Sequence, residues 1–327
     1  MPLFSRGGKR TTEATARMFF ATDIHGSDRC FRKFLNAAKF YDANVLILGG
    51  DITGKTLVPI ERLPSGYAAK FNDNRYQDLD AAGLEELEQR ISDAGQYPIV
   101  GSRDELLQLH DEGMRDEAFK RVVCAGIDRW MRLAEERLRG QGVRVLIAPG
   151  NDDFFEIDVP LQSSDVVEFA EGRCIRISDE HEVIVTGYSN RTPWDSPREM
   201  DEDEMLAYLE KMFAEVQDPT NLIAVIHPPP RDTDLDKAPE IDDQFRIKLE
   251  AGQPKLIPVG SSAVRTFIEE RQPLLGLHGH VHDSKGSQSI GRTLCINPGS
   301  EYTEGTLCGA IVSVADDQVI SHQLVIG

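Results

Sequence analysis

Short apolar runs recur along the chain, and polar residues follow each of them at once. The runs cover 17–22 (RMFFAT), 44–48 (NVLIL), 143–148 (VRVLIA), 222–226 (LIAVI) and 274–278 (LLGLH). Runs of this length that are bounded by Gly, Pro, Asp or Asn predict buried strands. A helix is predicted over 28–41, because apolar side chains recur there at helical spacing. A strand, a helix and a strand in about 35 residues predict a βαβ unit with a parallel strand pair and helices packed on the sheet.

Helical spacing of apolar residues predicts further helices over 84–94, 102–139, 201–216 and 261–271. Ser102 and Glu105 form a capping-box pattern that marks a helix start. Gly113 and Gly126 are candidate breaks that would divide the long stretch into two or three helices. Shorter strands are predicted at 166–169, 174–177, 182–187, 307–314 and 318–325. The prediction is a single domain over 17–327, with a flexible tail at 1–16 and an insertion at 52–100.

The residues that follow the buried strands are of types that bind divalent cations. They are Asp23, His25, Asp51, Asn151, His227, His280 and His282. Strand ends of an α/β sheet meet at one edge, so residues distant in sequence are expected to converge there. Asp23 and His25 are two positions apart and are expected to point to the same side of an extended segment. A carboxylate such as Asp51 can bridge two ions ~3.5–4 Å apart.

The stretch 274–282 (LLGLHGHVH) contains three histidines within five positions. Neutral imidazole is the commonest protein ligand for transition metals, and Gly279 is expected to let the backbone turn sharply between ligands. The alternative interpretation treats each polar residue after a strand as ordinary turn chemistry. That alternative suits any one position, but it does not account for five strand ends at once.

The motifs D-x-H (23–25), G-D (50–51), G-N (150–151), H-P-P (227–229) and G-H-V-H (279–282) resemble those of the calcineurin-like metallophosphoesterases, in the family's order. The resemblance implies an α/β fold: a four-layer α/β/β/α sandwich of two mixed sheets flanked by helices, with an inserted cap region. It also implies two metal sites that share one bridging residue. Asp23, His25 and His282 would hold one ion, Asn151, His227 and His280 the other, and Asp51 would bridge. His278 matches no ligand position, and residues 297–300 resemble a loop near the site without a catalytic role.

The chain departs from the family pattern at two places. Members usually carry His after the Gly-Asn, where it assists the leaving group, and this chain has Asp152. An Asp beside two cations is expected to be ionised and therefore to be a poor proton donor. Asp152 is a candidate to orient a water or a substrate hydroxyl, or simply to cap a following helix, and the structural role is slightly favoured.

The second departure is the long stretch between Asp51 and Asn151, which is expected to cap the site and select substrate. It carries four candidate contacts for a substrate phosphate or carboxylate, which are Lys55, Arg62, Lys70 and Arg75. For any single one of them, solvated surface charge is the better interpretation. Only as a group over a metal site would they bind a substrate.

The resemblance implies a metal-dependent phosphoester hydrolase, in which a metal-bound hydroxide attacks phosphorus. Phosphodiesters or phosphoanhydrides are expected over monoesters, because a missing acid favours a good leaving group. The alternatives are a phosphomonoesterase and a non-catalytic interaction scaffold on the same fold; retention of all seven ligands argues against the scaffold. The expected cofactors are two divalent ions, with Mn²⁺, Fe²⁺/³⁺, Zn²⁺, Ni²⁺ and Co²⁺ all open. The expected partner is a small-molecule or nucleotide phosphoester.

Composition and charge limit the class of protein, its expected compartment and its expected partners. The chain has 327 residues with 40% hydrophobic and 28% charged positions, typical of a globular protein. No apolar run approaches the ~18 residues of a membrane span. Five scattered cysteines without a CxxC pair favour a reducing cytoplasm. The net charge of −19 argues against broad nucleic-acid binding. It does not argue against a phosphoester bound at cations, which reverse the local field.

Overall fold

The computed structural model describes residues 14–327, which form seven α-helices and 22 strands. Residues 1–13 of the predicted tail lie outside the described residues, whereas the Thr15 amide already donates to the Val314 carbonyl (2.9 Å). No helix in the described part of the chain is long and apolar enough to cross a membrane.

The helices and strands have the following bounds. The helices are α1 (Asp28–Phe40), α2 (Ala81–Asp93), α3 (Arg103–Gln108), α4 (Glu112–Leu138), α5 (Asp158–Leu161), α6 (Glu202–Phe213) and α7 (Ser262–Arg271). The first eleven strands are β1 (Ala16–Ala21), β2 (Val45–Gly49), β3 (Leu57–Leu63), β4 (Gly66–Phe71), β5 (Asn74–Leu79), β6 (Tyr97–Gly101), β7 (Arg144–Ala148), β8 (Val167–Phe169), β9 (Arg173–Arg176), β10 (Glu182–Thr186) and β11 (Ser189–Asn190). The others are β12 (Glu199–Met200), β13 (Leu222–Ile226), β14 (Lys237–Pro239), β15 (Leu249–Glu250), β16 (Gln253–Pro254), β17 (Leu256–Pro258), β18 (Leu275–Leu277), β19 (Gly286–Ile290), β20 (Thr293–Asn297), β21 (Cys308–Ala315) and β22 (Gln318–Ile326).

Twelve of these strands form two six-stranded mixed sheets. The first has the order β22-β21-β1-β2-β7-β8, in which β1, β2, β7 and β8 run parallel and β21 pairs antiparallel with both β1 and β22. The second has the order β19-β20-β18-β13-β10-β9, with a parallel centre and an antiparallel strand at each edge. The buried strands predicted from the apolar runs are therefore the central strands of the two sheets.

The core is divided among three interfaces, because side chains alternate between the faces of a strand. Phe20 packs between the two sheets with residues such as Ile47 and Val225. Its neighbour Phe19 faces the other way, toward α1 and α4. A third cluster packs α6 and α7 on the outer face of the second sheet. Helix, sheet, sheet and helix therefore form four layers, and the fold predicted by the resemblance is confirmed.

Residues 57–101 form a separate element beside these layers. Strands β3–β6 make a four-stranded sheet of order β5-β4-β3-β6, and α2 packs on one face over its own small core. The insertion predicted at 52–100 thus has regular structure where the sequence indicated only extended pieces and one helix. Its strands are mostly half-exposed or exposed, so they lack the apolar runs that identified the central strands.

The helical stretch after Ser102 divides at a different place than predicted. The break lies at 109–111, where the Asp111 side chain accepts from the Met114 amide and caps α4. Neither Gly113 nor Gly126 interrupts α4. Glycine costs a helix about 1 kcal/mol relative to alanine, and burial of α4 residues such as Ile127 and Trp130 against the first sheet outweighs that cost.

Candidate metal centre

All seven predicted ligands converge at one place, at the carboxyl ends of the central strands of both sheets. Asp23 and His25 follow β1, Asp51 follows β2, and Asn151 follows β7. His227 follows β13, and the loop after β18 carries His280 and His282. Five of the seven are buried, and His280 and His282 are partly exposed. The cluster therefore opens to solvent on the side of the 279–282 loop.

Three side chains form the first group of donor atoms. The Nε2 atoms of His25 and His282 lie 3.1 Å apart, and His282 Nε2 lies 3.3 Å from an Asp23 carboxylate oxygen. Ligands that share one ion at about 2.0–2.2 Å stand roughly 3 Å from one another. The three donors thus have the spacing of ligands around a common cation.

The second group contains Asp51, His227 and His280, with Asn151 at its edge. His227 Nε2 lies 3.5 Å from an Asp51 oxygen, and His280 Nδ1 lies 2.9 Å from Asn151 Oδ1. The same Asp51 oxygen is 3.9 Å from His25 Nε2 in the first group. Asp51 consequently stands between the two groups, in the position that a bridging carboxylate requires.

A fully buried nitrogen tests whether this cluster fits metal ions. His227 Nε2 has no hydrogen-bond partner among residues 14–327, although burial without a partner is costly for a polar atom. In each group the donor atoms of the Asp and His side chains lie within 4.8 Å of one another. Imidazole nitrogens with carboxylate and amide oxygens are a donor set for first-row divalent ions. The residues therefore fit two such ions.

The charges of the side chains in this cluster favour cations. Burial opposes ionisation of Asp23, but His227 and His282 together outweigh burial and lower the pKa of Asp23 to about 2. Burial is likewise outweighed at Asp51, whose pKa lies well below its ordinary value. Burial and neighbouring His227 lower the pKa of His280 to about 4, which leaves its imidazole neutral for ligation. His227 itself is pulled the other way by Asp51 and Asp23, which overcome burial and raise its pKa to about 10. Asp23 and Asp51 together are therefore a centre of negative charge that a cation would neutralise.

Hydrogen bonds from outside the cluster orient the ligands. Nδ1 of His227 faces the Gly49 carbonyl at 3.0 Å, and Nδ1 of His25 faces the Thr53 carbonyl at 3.3 Å. When either ring is neutral, a proton on its Nδ1 leaves the Nε2 lone pair directed into the cluster. The loop at 297–300 contributes as well, because the Ser300 hydroxyl donates to the Asp23 carbonyl (2.6 Å). This loop therefore stabilises the position of Asp23 and supplies no predicted ligand itself.

The backbone of the ligand loops corrects one expectation. Asp23, His25, Asp51 and His280 all have positive φ, of 53°, 38°, 46° and 66°. The D-x-H segment is therefore not extended, and its two side chains reach the centre from left-handed positions that cost a non-glycine residue about 1–3 kcal/mol. Backbone hydrogen bonds hold this geometry: the Asp23 amide donates to the Gly50 carbonyl and the His25 amide to the Asp51 carbonyl, each at 3.0 Å.

Gly279 is needed for space, not for the sharp turn that was predicted. It does not have a positive φ; the turn is made by His280. A Cβ at position 279 would lie 2.2 Å from Thr22 Oγ1 and 2.4 Å from an Asp23 carboxylate oxygen. The loop after β18 thus passes so close to the loop after β1 that only glycine fits.

Gly279→Ala is expected to weaken metal binding by about 10- to 100-fold, the range for a disturbed outer contact of a metal ligand, because Asp23 must move away from the new methyl group. Metal titration of the purified variant measures this. Gly126→Ala is the control, since a Cβ there meets ordinary contacts at 3.6 Å within a helix. Metal affinity in Gly279→Ala equal to that of the control would show that the close approach is not needed.

Asp152 lies at the rim of the cluster and does not cap a helix. Its carboxylate forms an ion pair with Lys55 and accepts from the Ser196 hydroxyl (2.8 Å). The structural role falls to the next residue, Asp153, whose buried carboxylate accepts from the Ile52, Thr53 and Gly150 amides. Asp153 thereby ties the Asp51 loop to the Asn151 loop. The sequence alone does not indicate which of two adjacent Asp residues is buried and which lies at the rim of the cluster.

Two further groups of predicted residues have clear positions. Of the four candidate substrate contacts, only Lys55 lies beside the cluster of predicted ligands, through its ion pair with Asp152. Lys70 and Arg75 line a separate cavity of about 490 Å³ on the insertion sheet, and Arg62 lines another. His278 is fully buried and its Nδ1 faces the Ile226 carbonyl at 2.8 Å, in a structural position behind the ligands.

Comparisons with known proteins agree with the fold. No protein-family model matches the chain. The uncharacterised protein MJ1162 of Methanocaldococcus jannaschii is 29% identical over 190 residues, which are 56% of this chain and 78% of that protein. The solved structure of TT1561 from Thermus thermophilus covers 95% of this chain and 98% of its own, at 13% identity and a TM-score of 0.52. Another solved structure covers the same shares at 17% identity and a TM-score of 0.57.

At these identities the solved structures show the fold alone. That fold brings the seven predicted side chains together at one place. The fold agrees with the one implied by the resemblance to the calcineurin-like metallophosphoesterases, and divalent metal ions are the ligands that the cluster suggests.

Proposed function

We propose that this protein is a metal-dependent phosphoester hydrolase that acts on phosphodiesters or phosphoanhydrides. The observation that carries the proposal is the pair of donor groups that meet at Asp51. Two ions held there would neutralise charge that develops on phosphoryl oxygens and activate water for attack on phosphorus. The ions would be among Mn²⁺, Fe²⁺/³⁺, Zn²⁺, Ni²⁺ and Co²⁺.

The protein's own contribution is a rigid donor set. Asp23 and Asp51 supply fixed negative charge, and backbone carbonyls fix the rings of His25 and His227. Donors that are already in place need no reorganisation during the reaction. This preorganisation is usually the largest contribution to the rate enhancement at such sites. Beside them the chain has Asp152 paired with Lys55 where a proton donor would assist departure. A good leaving group, as in anhydrides or activated diesters, is the substrate feature that this arrangement favours.

Metal removal is the test of this proposal. Chelation followed by dialysis is expected to abolish hydrolysis of p-nitrophenyl phosphate and of its bis ester, because the proposed nucleophile is a water that the ions activate. Adding Mn²⁺, Co²⁺ or Ni²⁺ is expected to restore it. The release of p-nitrophenolate is measured with metal content determined in parallel. Full activity in protein shown to be metal-free would refute the proposal, and so would a metal-loaded protein that hydrolyses neither ester.

A further inference from the structure

Lys55 follows directly on the loop that carries Asp51, and its backbone position is fixed. The Gly54 amide donates to the Tyr97 hydroxyl (3.0 Å) of the insertion sheet. A Cβ at Gly54 would lie only 2.0 Å from the Gly95 carbonyl oxygen. The insertion therefore clamps the chain immediately before Lys55, and only the lysine side chain remains to move.

The Lys55 ammonium is connected through Asp152 to Asp51, the predicted bridging residue. It pairs with one oxygen of Asp152, and the Ser196 hydroxyl donates to the other (2.8 Å). The Asp152 amide donates to an Asp51 carboxylate oxygen at 3.0 Å. A carboxylate oxygen of Asp152 also lies within 4.8 Å of donor atoms of His25 and Asp51. Only the Asp152 side chain therefore lies between the Lys55 ammonium and the two groups of donor atoms.

Most of the Lys55 side chain is open to solvent, with 64% exposed against 16% for Asp152. An ammonium has three N–H donors, and in residues 14–327 Asp152 is its one partner. The remaining donors have no partner among the described residues, in a chain of net charge −19. A cation in this position attracts an anion more than it stabilises the fold, because exposed ion pairs contribute little to stability.

We propose that Lys55 is a substrate-binding residue of this centre, whose ammonium donates hydrogen bonds to a phosphoryl oxygen, with Asp152 and Ser196 as positioning residues. This inference rests on the proposed phosphoester activity. It narrows the substrate class as well, because a cation beside the metals favours a terminal phosphoryl group with two negative charges over the single charge of a diester. Combined with the need for a good leaving group, the substrate is a terminal phosphoanhydride.

Inorganic phosphate binding tests the contact without turnover. Calorimetric titration of the Mn²⁺-loaded protein is expected to give a Kd about tenfold higher for Lys55→Met than for wild type, the loss of one exposed charge-assisted hydrogen bond. Lys70→Met removes an equal charge from the insertion and is expected to leave the Kd unchanged. Both variants should bind Mn²⁺ with wild-type stoichiometry. Equal Kd values in wild type and Lys55→Met, or no phosphate binding by wild type, would overturn the inference.

Asp152→Asn tests the positioning role in the same assay. If the Asp152 carboxylate holds Lys55 in place, Lys55→Met should weaken phosphate binding less in the Asp152→Asn background than in wild type. An undiminished effect in that background would remove Asp152 from the proposal and leave the Lys55 contact standing.

Steady-state kinetics test the preference for a doubly charged phosphoryl group. Lys55→Met should lower kcat/KM about tenfold for p-nitrophenyl phosphate and less than threefold for the bis ester. Lys55→Cys treated with 2-bromoethylamine regains an ammonium at that position and should recover most of the loss. Wild type treated identically controls for the partly exposed Cys124 and Cys174. Equal losses on both esters would contradict the preference, while metal-independent wild-type hydrolysis would instead contradict the proposed function.

Discussion

Asp51→Asn is expected to lower kcat/KM for p-nitrophenyl phosphate by more than about 100-fold, and by more than His25→Ala or His282→Ala. Loss of an outer-shell partner alone costs about 10–100-fold in metal affinity or activity, and Asp51 is a donor itself. Its oxygen lies 3.9 Å from His25 Nε2 and 3.5 Å from His227 Nε2, so one change affects both donor groups. A terminal histidine serves only one of them.

Metal stoichiometry separates this effect from a general loss of structure. Asp51→Asn should reduce both metal equivalents, whereas His282→Ala should mainly reduce one. Asp236→Asn is the matched control, because Asp236 is also fully buried and accepts from the Thr233 amide (3.0 Å) outside the cluster. The control should retain both metal equivalents even if it is less stable. Two full metal equivalents in Asp51→Asn would contradict a bridging role for that carboxylate.

The seven predicted ligands could be identified from the sequence because parallel strands run in the same direction and end at the same edge of a sheet. Once the apolar runs are assigned to parallel strands, the residues after them must meet at one edge of the sheets. His227 and Asp51 are far apart in the sequence, yet β13 and β2 end at the same place. Their separation in sequence therefore did not hide their proximity in space. The backbone conformation of the loop after β1 could not be predicted in the same way. The left-handed backbone at Asp23 and His25 depends on hydrogen bonds to another loop.

Contacts between irregular loops could not be predicted. Ser196 lies in a loop without periodicity, and only the folded chain brings its hydroxyl to Asp152. Asp152 and Asp153 are chemically equivalent in sequence, and the difference between rim and interior arises from the path of the Asn151 loop. The insertion sheet shows the same limit, because partly exposed strands lack the apolar runs by which strands are recognised.

Arg198 is another residue with a role that the sequence did not indicate. Only 1% of its side chain is exposed, and its guanidinium donates to the carbonyls of Asp153 (2.8 Å) and Phe154 (3.2 Å). It also pairs with Asp158 at 2.6 Å and lies over the Phe155 ring at 4.4 Å. The backbone amide of Arg198 donates to the Asn151 carbonyl (3.2 Å). One buried side chain thus holds residues 153–158, the segment that follows the candidate ligand Asn151.

Arg198→Met is expected to lower the free energy of unfolding by about 2–4 kcal/mol, because the Asp153 and Phe154 carbonyls lose their donor and Asp158, whose side chain is 25% exposed, loses its ion-pair partner. Arg191→Met in the same loop is the control. Arg191 also forms an ion pair, with Asp201, but its side chain is 53% exposed, and such pairs contribute about 0–1 kcal/mol. Urea unfolding of both metal-free variants compares them. Similar losses in the two would mean that burial does not set the importance of Arg198, and that the segment after Asn151 is held by its backbone contacts instead.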